Sequence, residues 1–179
     1  MNTPMHPLGL RDIPSRGSGD LLPRKVVVPT DLLVGAWRDL LPPERMFFLG
    51  GRPLDDGVML SSARDVTGPM RSSVYVSGDP DLLARCLIDF ENTGAHIAAW
   101  FHSHPGLGAG ATYPSGIDLR QDEDLRRHFG DDLFGMIATS DGYIRFWGET
   151  IDAGRVVLQF RGIGIEAVEG EGNVFRLAV

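Results

Sequence analysis

The sequence predicts an α/β fold in which helices sandwich a mixed β-sheet. Short apolar runs typical of buried strands recur along the chain, and segments of helical periodicity alternate with them. With 179 residues, of which 42% are hydrophobic, the chain is long enough to bury the core of one domain. We therefore expect a single domain over residues 25–179. A flexible segment, residues 1–24, is expected to precede it because this stretch is rich in Pro, Gly, Ser and Arg.

Two helices are expected in the N-terminal half. Pro29-Thr30-Asp31 begins the first, whose apolar residues recur at helical spacing until Pro42. Asp79-Pro80-Asp81 begins the second, which carries Cys86 on its apolar face and stops at Gly94. Predicted strands in this half span residues 26–28, 45–50, 58–62 and 73–77.

The C-terminal half is expected to contribute most of the remaining sheet. An apolar run at 95–101 predicts a buried strand, and the polar segment at 116–129 predicts a third helix. Ser140-Asp141-Gly142 is a hairpin signal between two short apolar runs. Predicted strands here span residues 134–139, 143–147, 155–160, 163–165 and 174–177.

Composition argues against several classes of protein. A net charge of −7 disfavours nucleic acid as the main partner. No apolar run approaches the ~20 residues of a membrane helix, and residues 1–19 lack the apolar core of a secretion signal. We therefore expect a cytoplasmic protein with no membrane partner. Cys86 is the only cysteine, so an intrachain disulfide is ruled out and core packing is its expected role.

His102 and His104 come directly after the apolar run and form the most informative motif. Residues two apart on a strand point to the same face, so both imidazoles are expected to project together and share one metal ion. Asp118, in the first turn of the next predicted helix, can supply a third ligand. Two imidazoles, one carboxylate and an open fourth position are typical of a catalytic zinc site.

Ser115 and Asp118 have a second interpretation, as a helix capping box. The two interpretations are compatible, because the helix dipole keeps a carboxylate in the first turn ionised and ready to bind a cation. His128, near the end of the same predicted helix, is expected to have a surface role there. His6 and His96 have no neighbour at a spacing that indicates a metal site.

Glu44 is the candidate general base. It follows a proline break at the entrance to an apolar strand. A carboxylate there can take a proton from an attacking water. Taken alone, it would be an ordinary exposed acid at the start of a strand, so this assignment depends on the metal ligands.

Together these residues resemble the motif of the JAMM, or MPN-plus, metalloproteases. The family's pattern is a Pro-x-Glu segment, then His-Ser-His-Pro, then Ser-x-x-Asp. This chain has Pro43-Glu44, then His102-Ser103-His104-Pro105, then Ser115-Gly116-Ile117-Asp118. The resemblance extends over residues 26–148. Its one departure is the segment at 105–114, which is longer than the family usually has and is expected to bulge at its glycines without moving the ligands.

The resemblance implies a cytidine-deaminase-like α/β fold with one Zn²⁺ per chain. His102, His104 and Asp118 would bind the zinc. Glu44 would activate the water and Ser115 would stabilise the oxyanion. The implied activity is cleavage after the C-terminal glycine of a ubiquitin-like protein, in its precursor or its conjugates. The implied context is bacterial, with activating or conjugating enzymes of the same operon as further partners and antiphage defence as one setting.

Three alternatives remain open. A related hydrolase could process a sulfur-carrier protein with the same chemistry. The chain also partly resembles the DNA-repair-associated RadC proteins, although its acidic charge and Ser103 between the histidines count against that interpretation. A non-catalytic scaffold of the same fold is the third, and the presence of all three ligands and Glu44 disfavours it.

Overall fold

A computed structural model of the chain describes residues 23–40, 45–72 and 75–178. These residues form four α-helices: α1 (Thr30–Leu40), α2 (Pro80–Asn92), α3 (Gly116–Phe129) and α4 (Glu149–Asp152). The strands are β1 (Arg24–Pro29), β2 (Met46–Leu54), β3 (Gly57–Asp65), β4 (Thr67–Ser72), β5 (Tyr75–Gly78), β6 (His96–Ser103), β7 (Phe134–Ala138), β8 (Tyr143–Trp147), β9 (Val156–Arg161), β10 (Ile165–Ala167) and β11 (Val174–Leu177).

Nine of the described strands form one mixed sheet in the order β10-β11-β8-β7-β6-β2-β3-β1-β9. β1 lies parallel to both β3 and β9, and β6 lies parallel to β7. The other neighbouring pairs of this sheet are antiparallel. β4 and β5 form a separate two-stranded sheet. The expected α/β class with a mixed sheet is confirmed.

The start of β2 shows why the sheet is the middle layer of the molecule. Its residues Met46, Phe47, Phe48 and Leu49 are all buried, although successive side chains of a strand point to opposite faces. Phe47 and Leu49 pack in one core with α1, whereas Met46 and Phe48 pack in a second core with α2. Both faces of the sheet are therefore covered, which explains an uninterrupted apolar run.

The second helix, α2, forms where its capping signals are placed. The Asp79 carboxylate accepts hydrogen bonds from the backbone N–H groups of Asp81 and Leu82, at 2.9 and 3.1 Å. Cys86 and Phe90 are its buried residues. A Cβ built on Gly50 would lie 2.8 Å from the Phe90 ring, so the glycine lets α2 lie close to the sheet.

Several boundaries differ from the sequence prediction. The metal-site strand, β6, extends to Ser103, so His102 belongs to the strand itself. Arg24, which was expected in the flexible segment, is already part of β1. Two elements were not predicted. Gly68 and Pro69 interrupt the strand pattern of β4, and α4 has only four residues, too few for a helical pattern. The rest of the expected flexible segment, residues 1–22, lies outside the described residues.

None of the described helices is long and apolar enough to cross a membrane.

Candidate metal centre

The first two candidate ligands come from the end of β6 and from the residue just after it. His102 is paired with Met46 on one side and with Ile137 on the other, and only 2% of its surface is exposed. Its side chain shares the face of Trp100, on which its ring is stacked. The chain stays in register beyond the strand because the His104 N–H donates to the Ala138 carbonyl at 2.8 Å. His104 therefore projects on the same side as His102, as predicted.

The third ligand comes from the first turn of α3. The Ser115 hydroxyl accepts hydrogen bonds from the backbone N–H groups of Ile117 and Asp118, at 3.2 and 3.3 Å. In return, Oδ2 of Asp118 accepts from the Ser115 N–H at 2.6 Å. The predicted capping box is thus present. It also fixes the Asp118 carboxylate in a buried position, with 6% of the residue exposed.

The three side chains converge on one point. Nε2 of His102 lies 3.1 Å from Nε2 of His104 and 3.1 Å from Oδ1 of Asp118. Nε2 of His104 lies 3.2 Å from Oδ2 of Asp118. Two ligands held ~2.0–2.1 Å from one ion at a tetrahedral angle lie roughly 3.4 Å apart, close to these separations. The donor set therefore fits a small metal ion, and the group can hold one.

The protonation states of two of these groups suit a metal ligand. Burial lowers the pKa of His102 below its ordinary 6.5, although the Asp118 carboxylate opposes the shift. The imidazole is therefore neutral at neutral pH, the form that binds a metal. Burial alone would raise the pKa of Asp118, but hydrogen bonds to His102 and His104 hold that pKa well below its usual range. The carboxyl is thus ionised.

The two imidazole rings are held in different ways. Nδ1 of His104 lies 3.0 Å from the carbonyl oxygen of Ala111, which fixes that ring through a hydrogen bond. Nδ1 of His102 is buried and has no hydrogen-bond partner in the described part of the chain. Its ring instead lies flat on Trp100, with 4.8 Å between ring centroids and 6° between planes.

Asp122 is a residue of this neighbourhood that the sequence analysis missed. One of its carboxylate oxygens accepts a hydrogen bond from the Trp100 indole N–H at 3.1 Å, and the other accepts from Arg126 Nε at 2.8 Å. Burial raises the pKa of Asp122, and the contacts with Trp100 and Arg126 oppose that shift. Its position four residues after Asp118, hence on the same helix face, was the available signal.

The segment between the second and third candidate ligands was expected to bulge at its glycines without moving the ligands, and the structure shows the contacts that hold it. Residues Ala109–Thr112 form a short 3₁₀ helix. The Gly108 N–H donates to both carboxylate oxygens of Asp141, at 2.9 and 3.1 Å. Thr112 is buried and accepts a hydrogen bond from Arg145. No local pattern indicated these contacts, because Asp141 and Arg145 lie beyond α3 in the chain.

The predicted site residues have different outcomes. Among the described residues, His102, His104 and Asp118 form the one group of three or more potential ligands close enough to share an ion. Ser115 is exposed and caps α3. Glu44, the predicted general base, lies outside the described residues. His128 was predicted to have a surface role near the C-terminal end of its helix. It is exposed there, and its Nδ1 lies 2.7 Å from the Asp124 carbonyl oxygen.

Comparison with known proteins supports the fold alone. No family model and no curated protein matches this sequence. The fold is similar to the solution structure of protein DSY2949 from Desulfitobacterium hafniense, with a TM-score of 0.50 and 20% sequence identity. The match covers 76% of this chain and 94% of the other chain. The chain therefore has an α/β fold that is similar to a solved structure. Within it, His102, His104 and Asp118 form a group that can hold a metal ion.

Proposed function

We propose that this protein is a zinc-dependent hydrolase of amide bonds with a JAMM-like, cytidine-deaminase-like fold. The observation that carries the proposal is the convergence of two imidazole nitrogens and one carboxylate at separations of 3.1–3.2 Å. Three protein ligands leave one position of a tetrahedral ion for another group, which is the arrangement of catalytic zinc sites. Structural zinc sites have four protein ligands instead.

Each site residue has a distinct role in this proposal. His102, His104 and Asp118 would hold the zinc, which would act as a Lewis acid toward the scissile carbonyl and the attacking water. Glu44 takes the proton of the attacking water and returns it to the leaving amine. Glu44 stands two positions before Met46, whose Cα is paired with that of His102. Ser115 donates its hydroxyl hydrogen to the developing oxyanion, while its lone pairs cap α3.

The proposed substrate is a ubiquitin-like protein cleaved after its C-terminal glycine, either in a precursor or in a conjugate. An extended tail of small residues can approach a metal centre at the end of a strand without steric conflict. The exposed side chains of Leu107 and Tyr113 stand in the segment between the ligands, where they offer apolar contacts to such a tail. Enzymes that activate or conjugate the same ubiquitin-like protein are the proposed further partners.

Metal analysis provides the first test. Protein purified without added chelator is expected to contain about one zinc per chain by inductively coupled plasma mass spectrometry. His104→Ala should lose most of that metal, whereas His128→Ala should retain it because His128 lies at the far end of α3. Iron in place of zinc, or less than about a tenth of an equivalent after incubation with zinc, would contradict the proposal.

Hydrolysis provides the second test, with a fluorogenic amide at the C-terminal glycine of a ubiquitin-like protein as substrate. Glu44→Gln is expected to abolish turnover while the zinc content stays unchanged. Glu91→Gln, an exposed acid on α2, is the matched control and should retain full turnover. Near-wild-type turnover of Glu44→Gln would overturn the assignment of the base.

A comparison of substrates separates the alternatives. Ubiquitin-like conjugates should be cleaved faster than a sulfur-carrier protein extended at its C-terminus. The reverse order would favour the sulfur-carrier hydrolase. A zinc-loaded protein that cleaves neither but binds the ubiquitin-like protein would favour the non-catalytic scaffold.

A further inference from the structure

The His102 ring lacks the hydrogen bond that usually orients a metal-binding histidine. A ligating imidazole commonly donates its second ring N–H to a carbonyl or carboxylate, and this contact fixes the ring plane. His104 has such a contact, because its Nδ1 lies 3.0 Å from the Ala111 carbonyl oxygen. Nδ1 of His102 is buried and has no partner among the described residues. Within the described part of the chain, the plane of the His102 ring therefore depends on a contact other than this hydrogen bond.

Trp100 provides that contact. It stands two residues before His102 on β6, so both side chains lie on the same face of the sheet. The two rings are stacked and nearly parallel, with an angle of 6° between their planes and 4.8 Å between their centroids. Trp100 is 1% exposed, and Trp147 packs against it edge to face, so the indole has little freedom to turn. Because the His102 imidazole is stacked on the Trp100 indole, a fixed orientation of the indole restricts the orientation of the imidazole.

The indole is in turn anchored by α3. Its N–H donates to Oδ1 of Asp122 at 3.1 Å. The other oxygen of that carboxylate accepts from Arg126, which also pairs with Glu149 of α4. Asp122 stands one helical turn after Asp118, so the same helix face carries one metal ligand and one anchor. The carboxylate is 3% exposed, and such a buried acid costs free energy unless its partners compensate.

We infer that Asp122 is a positioning residue of the metal centre, which acts through the Trp100 indole to hold the His102 ring in its ligating orientation. The inference rests on the proposed metal centre and adds to it a residue outside the ligand set. Asp122 and Asp118 together make α3 the element that sets two of the three ligands, one directly and one through the stacked ring. Loss of a group that contacts a metal ligand directly typically weakens metal binding by about 10- to 100-fold, and Asp122, which acts through Trp100, is expected at the lower end of that range.

Four variants test the inference. Asp122→Ala removes the anchor, Asp122→Asn keeps an oxygen that accepts from the indole, and Trp100→Phe keeps a stacked ring without its N–H. The fourth combines Asp122→Ala with Trp100→Phe. Asp124→Ala is the matched control, since that acid is exposed on the same helix and its carboxylate pairs with Arg127 at the surface. Zinc affinity is measured on metal-free protein by competition with a chromophoric chelator, and the visible spectrum of the Co²⁺ form reports the coordination geometry.

Asp122→Ala is expected to weaken zinc binding by about 10-fold or more and to alter the Co²⁺ spectrum. Asp122→Asn should stay within about threefold of wild type, as should Asp124→Ala. If Asp122 acts only through the Trp100 indole, the effects of the two substitutions should not add. The combined variant should then bind zinc as tightly as whichever single variant, Asp122→Ala or Trp100→Phe, binds it more weakly. Asp122→Asn and Trp100→Phe carry the test should the alanine variant fail to fold.

Two results separate the failure of this inference from the failure of the proposed function. If wild-type protein binds neither zinc nor cobalt, the metal centre itself is wrong. If the wild type binds zinc and Asp122→Ala binds it equally well with an unchanged Co²⁺ spectrum, only the positioning role is wrong. A loss in Asp122→Asn as large as in Asp122→Ala would also overturn the role of the indole hydrogen bond.

Discussion

Cys86 shows how burial controls the reactivity of one side chain. The thiol lies on the inner face of α2, in the core that includes Met46 and Phe48, and is 3% exposed. Burial raises its pKa to about 12, from an ordinary 9.0. Only the thiolate is a strong nucleophile, so the folded protein presents a blocked and almost fully protonated cysteine.

Alkylation should therefore depend on unfolding. At pH 8, iodoacetamide is expected to label Cys86 in the native protein about a thousandfold more slowly than a free thiol, because the shift of the pKa lowers the thiolate fraction by that factor. In urea the labelling should be fast. Mass spectrometry after timed quenching measures both rates. Rapid labelling of the folded protein would show that α2 opens or that the thiol is not buried.

Ser115 combines a local structural role with a proposed chemical one. Its hydroxyl caps α3, and substitution of such a cap by alanine costs about 1 kcal/mol of stability. Ser115→Ala should lower the free energy of unfolding by about that amount, measured by urea denaturation. Asp79→Ala, which removes the equivalent cap of α2, is the control and should cost about as much.

The two cap variants should differ in turnover. Ser115→Ala is expected to reduce hydrolysis by about 10²–10³-fold, the typical effect of removing one oxyanion donor. Asp79→Ala should leave turnover nearly unchanged. Equal turnover in Ser115→Ala and Asp79→Ala would mean that Ser115 caps α3 and has no role in hydrolysis.

The carboxylate of Asp141 is one of the contacts that hold the segment at 105–114 in place. Asp141, in the turn between β7 and β8, accepts hydrogen bonds from the Gly108 N–H and from the Thr139 hydroxyl. Asp141→Ala should therefore loosen the 3₁₀ helix Ala109–Thr112 and speed its amide hydrogen exchange. Exchange in α3 should change much less. Ser140→Ala, an exposed change in the same turn, is the control. Unchanged exchange after Asp141→Ala would mean that other contacts hold the segment.

The helices α2 and α3 differ in the way they dock on the sheet. The buried residues of α2 are Cys86 and Phe90, which contribute apolar area. Those of α3 are Asp118 and Asp122, both of which make polar contacts with side chains of β6 or the residue just after it. α3 therefore adds directional contacts to the apolar packing of Leu125 and Phe129, and a metal ion bound by Asp118 would join it to β6.

Metal binding should accordingly stabilise the whole chain. A ligand present at about 100 times its Kd adds about 2.7 kcal/mol when it binds the folded state alone. For a protein of this size, roughly 2–4 °C of Tm corresponds to each kcal/mol. Zinc at that excess should raise the Tm of metal-free protein by about 5–10 °C, measured by circular dichroism. His104→Ala should show almost no rise. If the Tm of the wild-type protein did not change on addition of zinc, the proposed metal centre would be wrong.

Much of this architecture could be predicted from local patterns. The apolar run before His102 identified β6, and the spacing of His102 and His104 placed their rings on one face. Nothing local indicated that β1 pairs with β9 or that Asp141 holds Gly108, since those partners are far apart in the chain. Asp122 was missed for a related reason, because its role depends on where α3 docks against Trp100.

The position of β1 has a consequence for the order in which the chain folds. Residues Arg24–Pro29 lie between β3 and β9, and their parallel pairing with Val156–Arg161 joins segments more than a hundred residues apart. During synthesis, the edge of β1 that pairs with β9 stays open until residues 156–161 have left the ribosome. Contacts of such high sequence separation slow folding. We therefore expect the docking of β9 on β1 to be among the last steps of folding, and the exposed edge of β1 to be the chief aggregation hazard until then.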